Sequence, residues 1–135
     1  MKALFVYSNK YERCNGIYYS MTQNADVWQK RYLPLFDELV VFGRVIDIDN
    51  VVGKKIASTD CVSFSCTKYN INSSDFFTHR DEIDKHIETL VKETDFLIAR
   101  QSYYAFVAVK YAKRYNIPYV VEVVGSNGIH TGIFQ

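Results

Sequence analysis

Four short, mostly apolar runs, at residues 3–7, 39–42, 96–99 and 119–124, are separated by stretches whose apolar residues recur at helical spacing. A strand without apolar–polar alternation has no wet face, which is the signature of a central parallel strand buried on both sides. Parallel neighbours need crossover connections, and the intervening amphipathic stretches supply them as helices. The sequence therefore predicts an α/β fold, a Rossmann-like parallel sheet with helices on both faces. At 135 residues the chain has room for one domain, since single cores cluster at about 100–150 residues.

The element ends can be placed by their chemistry. The first run is followed by a polar stretch, 8–23, read as a loop. Ala25, Trp28, Tyr32 and Leu35-Phe36 then mark a helix, which Pro34 kinks or stops at Leu33 by removing a backbone donor. Gly43-Arg44 closes the second strand, and residues 61–65 form a third. Thr78 and Asp81 fit a capping box ahead of the stripe Ile83, Ile87, Leu90 and Val91, which stands opposite Asp84, Lys85, Glu88 and Lys92. Ser102 caps a helix carrying Ala105, Ala108 and Ala112 on one side. Lys110, Lys113 and Arg114 suit the negative end of its dipole. Asn116 tolerates the left-handed turn after it. Pro118 opens the last strand and Gly125 ends it.

Charge and cysteine usage exclude several functions. The net charge is +1 with no basic block, so a nucleic-acid backbone is not the partner. Cys14, Cys61 and Cys66 form no CxxC pair, which excludes a zinc knuckle or a thioredoxin-type motif. Cys61 and Cys66 flank a strand, on opposite faces and roughly 16 Å apart, so they cannot bridge. Sparse, odd cysteines imply a reduced, cytoplasmic setting. His79, His86 and His130 show no ligand spacing, and no metal is expected. His79 and His86 are read as exposed helix residues; His130 has no assignment. No apolar stretch approaches the ~20 residues needed to span a bilayer. The opening apolar run is too short for a secretion signal.

In a doubly wound sheet, ligands bind outside the carboxyl ends of the strands, where strand order reverses. The first such loop lacks both GxGxxG and the P-loop pattern, hence the glycines that bring backbone amides to phosphates. It offers instead the turn Asn15-Gly16, then Tyr18-Tyr19-Ser20. Arg100, at the end of a buried strand, either meets an anionic or hydroxyl-rich ligand or pairs with an acid such as Glu122. Ser102 caps its own helix or touches ligand. Glu122 interrupts an apolar strand, and a buried carboxylate needs a partner or a cleft. The mixture of Tyr103, Tyr104, Phe106, Tyr111 and Tyr115 with Lys110, Lys113 and Arg114 either packs on the sheet or touches a membrane surface.

The segment Asp95-Phe96-Leu97-Ile98-Ala99-Arg100-Gln101-Ser102, the helix after it, and Ile117-Pro118-Tyr119-Val120-Val121-Glu122-Val123-Val124-Gly125 resemble bacterial glycosyltransferases of the GT-B fold. More narrowly, they resemble the N-terminal domain of the retaining group that builds capsular and other surface polysaccharides. The opening strand, the Asn15-Gly16 loop with Tyr18-Tyr19-Ser20, the Val27-Trp28-Gln29 helix and Val40-Val41-Phe42-Gly43-Arg44 extend the resemblance over nearly the whole chain; its weight lies in their order and spacing.

The resemblance implies a single acceptor-side domain over residues 1–135, incomplete and without the donor-binding C-terminal domain. It further implies a sugar acceptor, polysaccharide or lipid-linked, as partner. A nucleotide sugar would be the donor substrate of the intact enzyme, with no cofactor in this chain. It places Asn15, Gly16, Tyr18, Arg100, Ser102, Glu122 and Gly125 at or near the cleft and assigns no catalytic residue. The family's glycine-rich first loop is reduced here to Gly16. Truncation would expose apolar surface, so self-association is a further expectation; the aromatic and basic helix after Ser102 adds contact with the inner face of the membrane as another. Two other readings stand beside this one: a non-catalytic partner subunit or remnant that docks on a separate donor subunit, and a flavodoxin-like binding module.

Overall fold

The computed structural model describes residues 1–125 and 128–134, with side chains described through residue 123. In chain order the elements are β1 (Lys2–Cys14), β2 (Ile17–Tyr19), α1 (Ala25–Arg31), β3 (Glu38–Asp47), β4 (Val62–Phe64), α2 (Ser74–Lys92), β5 (Phe96–Arg100), α3 (Tyr103–Arg114), β6 (Tyr119–Gly125) and β7 (Gly128–Phe134). They build one sheet in the order β4-β3-β1-β5-β6-β7, with β2 hairpinned onto β1. β1, β3, β4, β5 and β6 run parallel, while β2 and β7 run antiparallel to their neighbours. Counting only the parallel strands, the order is that of a Rossmann half, and it reverses between β1 and β5.

Side-chain alternation along β1 divides the core. Leu4 and Val6 pack with Ile83, Ile87 and Val91 of α2 and with Ala105, Ala108 and Ala112 of α3. Ala3 and Phe5 face the other way, onto Trp28 of α1 and onto Tyr32. The sheet therefore carries helices on both faces, as the apolar runs require. The small residues of α3 let it sit close to the sheet, and Asn116 takes the left-handed conformation at φ 57°.

Several boundaries move. Residues 8–14 are not a loop: β1 continues through them and turns back into β2. Asn15 and Gly16, at φ 51° and 78°, form the two-residue left-handed turn that matches the twist of paired strands. β3 likewise runs on past Gly43 to Asp47. A Cβ on Gly43 would lie 2.7 Å from the Asn9 carbonyl and from the Tyr11 ring, so glycine is required there for close strand approach. That approach coincides with a bulge in β1 between Val6 and Lys10. The second helix starts at Ser74 with Ser73 in the cap position, so Thr78 lies inside it, its hydroxyl donating to the Ser74 carbonyl at 3.4 Å. β6 is not the last strand, because β7 pairs with it from Gly128 onward. His130 falls in β7, where its side chain is outside the described residues.

Candidate functional site

Tyr7, Arg100 and Glu122 form a row at the carboxyl edge, on the α1 side of the sheet. β5 pairs β1 through Val6↔Ala99 and β6 through Arg100↔Glu122, which places the three side by side. The row crosses the β1–β5 reversal of strand order, where a doubly wound sheet receives its ligands.

Glu122 is 4% exposed. Its carboxylate is held from above by the end of α1: the Tyr32 hydroxyl donates to it, at 2.8 and 3.0 Å from the two oxygens, and Arg31 Nη2 donates at 3.0 Å. The Glu122 carbonyl accepts from the Gln101 amide at 2.8 Å. Burial, and then the Glu122 carboxylate, push the Tyr32 phenol well above its ordinary range, so it remains a donor at neutral pH.

Arg100 is not paired with Glu122. Its guanidinium lies over the Tyr7 ring, 5.0 Å from the centroid. Its Nε is buried and meets no acceptor among the described residues. Leaving such a donor unmade costs about 1–3 kcal/mol.

The remaining expected site residues divide into two groups. Ser102 caps α3, its hydroxyl oxygen accepting from the Ala105 amide at 3.2 Å, and Gly125 ends β6. Both belong to the Arg100–Glu122 edge. Asn15 and Gly16 lie at the hairpin tip. Tyr18 is stacked on Phe64 at 4.3 Å, its hydroxyl accepting from Arg13 at 3.4 Å. These three belong to the hairpin and make no described bond to the Arg100–Glu122 row. Asn9, Ser20 and Thr22 link the hairpin to the start of α1, with Asn9 Nδ2 donating to Ser20 Oγ at 3.1 Å and Thr22 Oγ1 donating to Asn9 Oδ1 at 3.3 Å.

The sequence reading missed Tyr7, Arg31 and Tyr32. The need of Glu122 for a partner was its one legible signal, but the partners lie 90 and 91 residues away. His86 also departs from expectation: it is half-buried, not exposed. Its Nε2 lies 2.7 Å from Ser65 Oγ and its ring meets Phe42 edge-on. Burial holds the imidazole below its ordinary range, toward the neutral form. His79 departs from expectation too, partly covered by stacking on Tyr69 at 3.8 Å. All three cysteines are free, and burial pushes the Cys66 thiol up to about 12, which makes it unreactive.

Among the described residues no group of histidines, cysteines and carboxylates could hold a metal ion, and no helix is long and apolar enough to cross a membrane. Two apolar hollows flank β6. One, of about 250 Å³, is bounded by Leu35, Phe36, Phe96, Ile98 and Val120 and shares Arg31, Tyr32 and Glu122 with the buried network. The other, of about 280 Å³, lies beside α3 between Ala105, Phe106, Val109, Tyr119 and Val121.

Strand order and edge chemistry define the class: a Rossmann-like α/β domain that offers side chains, rather than a glycine-rich phosphate cradle, at its ligand edge. The chain is similar to Protein CapJ of Staphylococcus aureus, 31% identical over 129 residues, an alignment that covers 93% of this chain and 32% of that protein. The chain thus spans about a third of the length of the curated relative it matches. No family model and no solved structure matches it.

Proposed function

We propose that this chain is the acceptor-side part of a glycosyltransferase that builds a capsular or other surface polysaccharide, using a nucleotide sugar held by a separate donor-binding region. The observation that carries the reading is the ligand edge: a Rossmann half whose first crossover begins with a hairpin, where a nucleotide-binding half has a glycine-rich turn. Such an edge suits a hydroxyl-bearing acceptor better than a dinucleotide, because tyrosine, arginine and glutamate side chains replace converging amides. The similarity to a protein named CapJ, which we read as a capsule gene product, supports the polysaccharide class. The resemblance in strand-end motifs supports the two-region architecture.

Within this reading Tyr7 and Arg100 face the acceptor, and the buried Tyr32 and Glu122 stand behind them. Glu122, bonded to both Arg31 and Tyr32, orients rather than reacts. The test is sugar transfer by the full-length native protein, with radiolabelled nucleotide sugars and membrane or polysaccharide acceptors. The expected result is label in polymer or lipid-linked product, lost when the donor region is removed. Tight, specific nucleotide-sugar binding by residues 1–135 alone would contradict the division of labour.

A further inference from the structure

We infer that Arg100 is a recognition site for a phosphoryl group, so that the ligand at this edge is phosphorylated rather than a neutral sugar; this rests on the acceptor-side reading above.

Among the described residues, the row and the end of α1 above it bring together two guanidinium groups, Arg31 and Arg100, and one carboxylate, Glu122. Glu122 spends both oxygens on Tyr32 and Arg31, at 2.8–3.0 Å. Arg100 sits directly beside it in register but shares no hydrogen bond or ion pair with it. One positive charge is therefore left over. Nothing among the described residues neutralises it.

The guanidinium is also held in place. The Tyr7 ring supports its plane at 5.0 Å, and its Nε is shut away from solvent without an acceptor. The terminal nitrogens are not among the buried, unbonded atoms and they make no bond, so they open to solvent. A planar, oriented fork with free terminal donors matches a phosphoryl oxygen pair better than a single hydroxyl. Three residues on, α3 begins, with no acidic residue in its first turn. Its positive end adds to the same field. The first crossover carries no glycine-rich cradle, so on the described edge recognition rests on Arg100 and the start of α3.

The phosphoryl group can belong to a soluble sugar phosphate or to a lipid headgroup, and the experiment separates them. Inorganic pyrophosphate is titrated into the full chain at constant ionic strength, followed by amide and arginine side-chain NMR shifts, with circular dichroism as the folding check. Saturable shifts at Arg100, Tyr7 and the start of α3 are expected. Arg100→Gln should weaken binding at least about tenfold, the equivalent of losing one charge-assisted contact. Arg100→Lys, which keeps the charge without the fork, should fall between. Lys113→Gln, in the last turn of α3, should change nothing. Wild-type-like binding by Arg100→Gln, or shifts spread evenly over surface lysines, would overturn the inference.

Two further arms use glucose 1-phosphate and phosphatidylcholine vesicles with or without phosphatidic acid. Arg100-dependent binding of the vesicles assigns the phosphoryl group to a lipid headgroup, and Arg100-dependent binding of the sugar phosphate alone assigns it to a soluble ligand. The outcomes also separate this inference from the transferase reading. Pyrophosphate binding without sugar transfer removes the transferase and leaves the site. Undiminished transfer by Arg100→Gln full-length protein removes the site and leaves the transferase.

Discussion

The two faces of the sheet are built on different plans. On one, α2 and α3 set Ile83, Ile87, Val91 and the alanines of α3 against Leu4, Val6 and Leu97 of the sheet, with Phe42, Tyr104, Tyr111 and Tyr119 buried beside them. The two helices are cross-linked by Tyr111–Asp84, by Tyr115–Glu88 at 2.6 Å and by Arg114–Glu88 at 3.8 Å. On the other, the seven-residue α1 is the sole helix packed among the described residues, and its burial is concentrated in aromatic rings. Phe5 meets both Trp28 and Tyr32 at 5.3 Å. The first face spreads its burial over two helices and a larger set of side chains. The second concentrates it in a few side chains and leaves the edge of β5 and β6 free to carry charge, which is where the candidate site stands.

If that contrast is right, the largest effect of any single truncation falls on the thin face. Trp28 is 0% exposed and its indole N–H donates to the Ala57 carbonyl at 3.0 Å. Trp28→Ala should cost about 3–5 kcal/mol, measured by urea unfolding. Ile87→Val, equally buried on the two-helix face, should cost about 1 kcal/mol. Comparable losses from the two would show that α1 has neighbours that share its load.

A smaller effect tests the charged end of the same face. Glu122→Ala leaves Arg31 without its partner and Tyr32 without its acceptor. Removing one member of a fully buried pair costs about 3–5 kcal/mol, but the Arg31 side chain is 35% exposed and can regain water. About 2 kcal/mol is therefore expected. A double-mutant cycle with Arg31→Ala should return a non-zero coupling that survives high salt, since the carboxylate is shielded from it. Zero coupling would mean that Tyr32 alone satisfies Glu122.

The two faces were not equally legible in the sequence. Ile83, Ile87 and Val91 announce a buried helix stripe by spacing alone, and Ser102 announces its cap. Both are local signals, and the structure agrees with both. The extension of β1 through residues 8–14 was hidden because those residues are mostly polar and are held by pairing with β3 on one side and β2 on the other, where propensity yields to pairing. The Asn15-Gly16 turn was visible as a turn, yet it needed β2 on its far side to read as a hairpin. Glu122 showed that something must pair with it. Its partners, at the end of a helix 90 residues earlier, follow from topology and not from any local pattern. Arg100 was read with two open outcomes, and the pairing with Glu122 was removed by Arg31 taking that place.

The smallest prediction asks whether the two-helix face carries any titratable weakness of its own. His86, on α2, is packed among Phe42, Ser65 and the backbone of its helix, with Glu82 one turn earlier as the acid that acts on it. Burial lowers its pKa below the 6.5 of the unfolded chain, and Glu82 only partly offsets this. A histidine held neutral in the fold binds fewer protons than in the unfolded state. Its contribution is therefore complete above pH 6.5 and declines as the pH falls through the window beneath that value. His86→Gln keeps a polar partner for Ser65 and does not titrate. The stability gap between wild type and His86→Gln should therefore narrow on acidification from pH about 7.5 to about 5.5, read by urea unfolding at matched salt. A gap that stays constant or widens would mean that the imidazole charges in place, with Glu82 and not burial setting its behaviour.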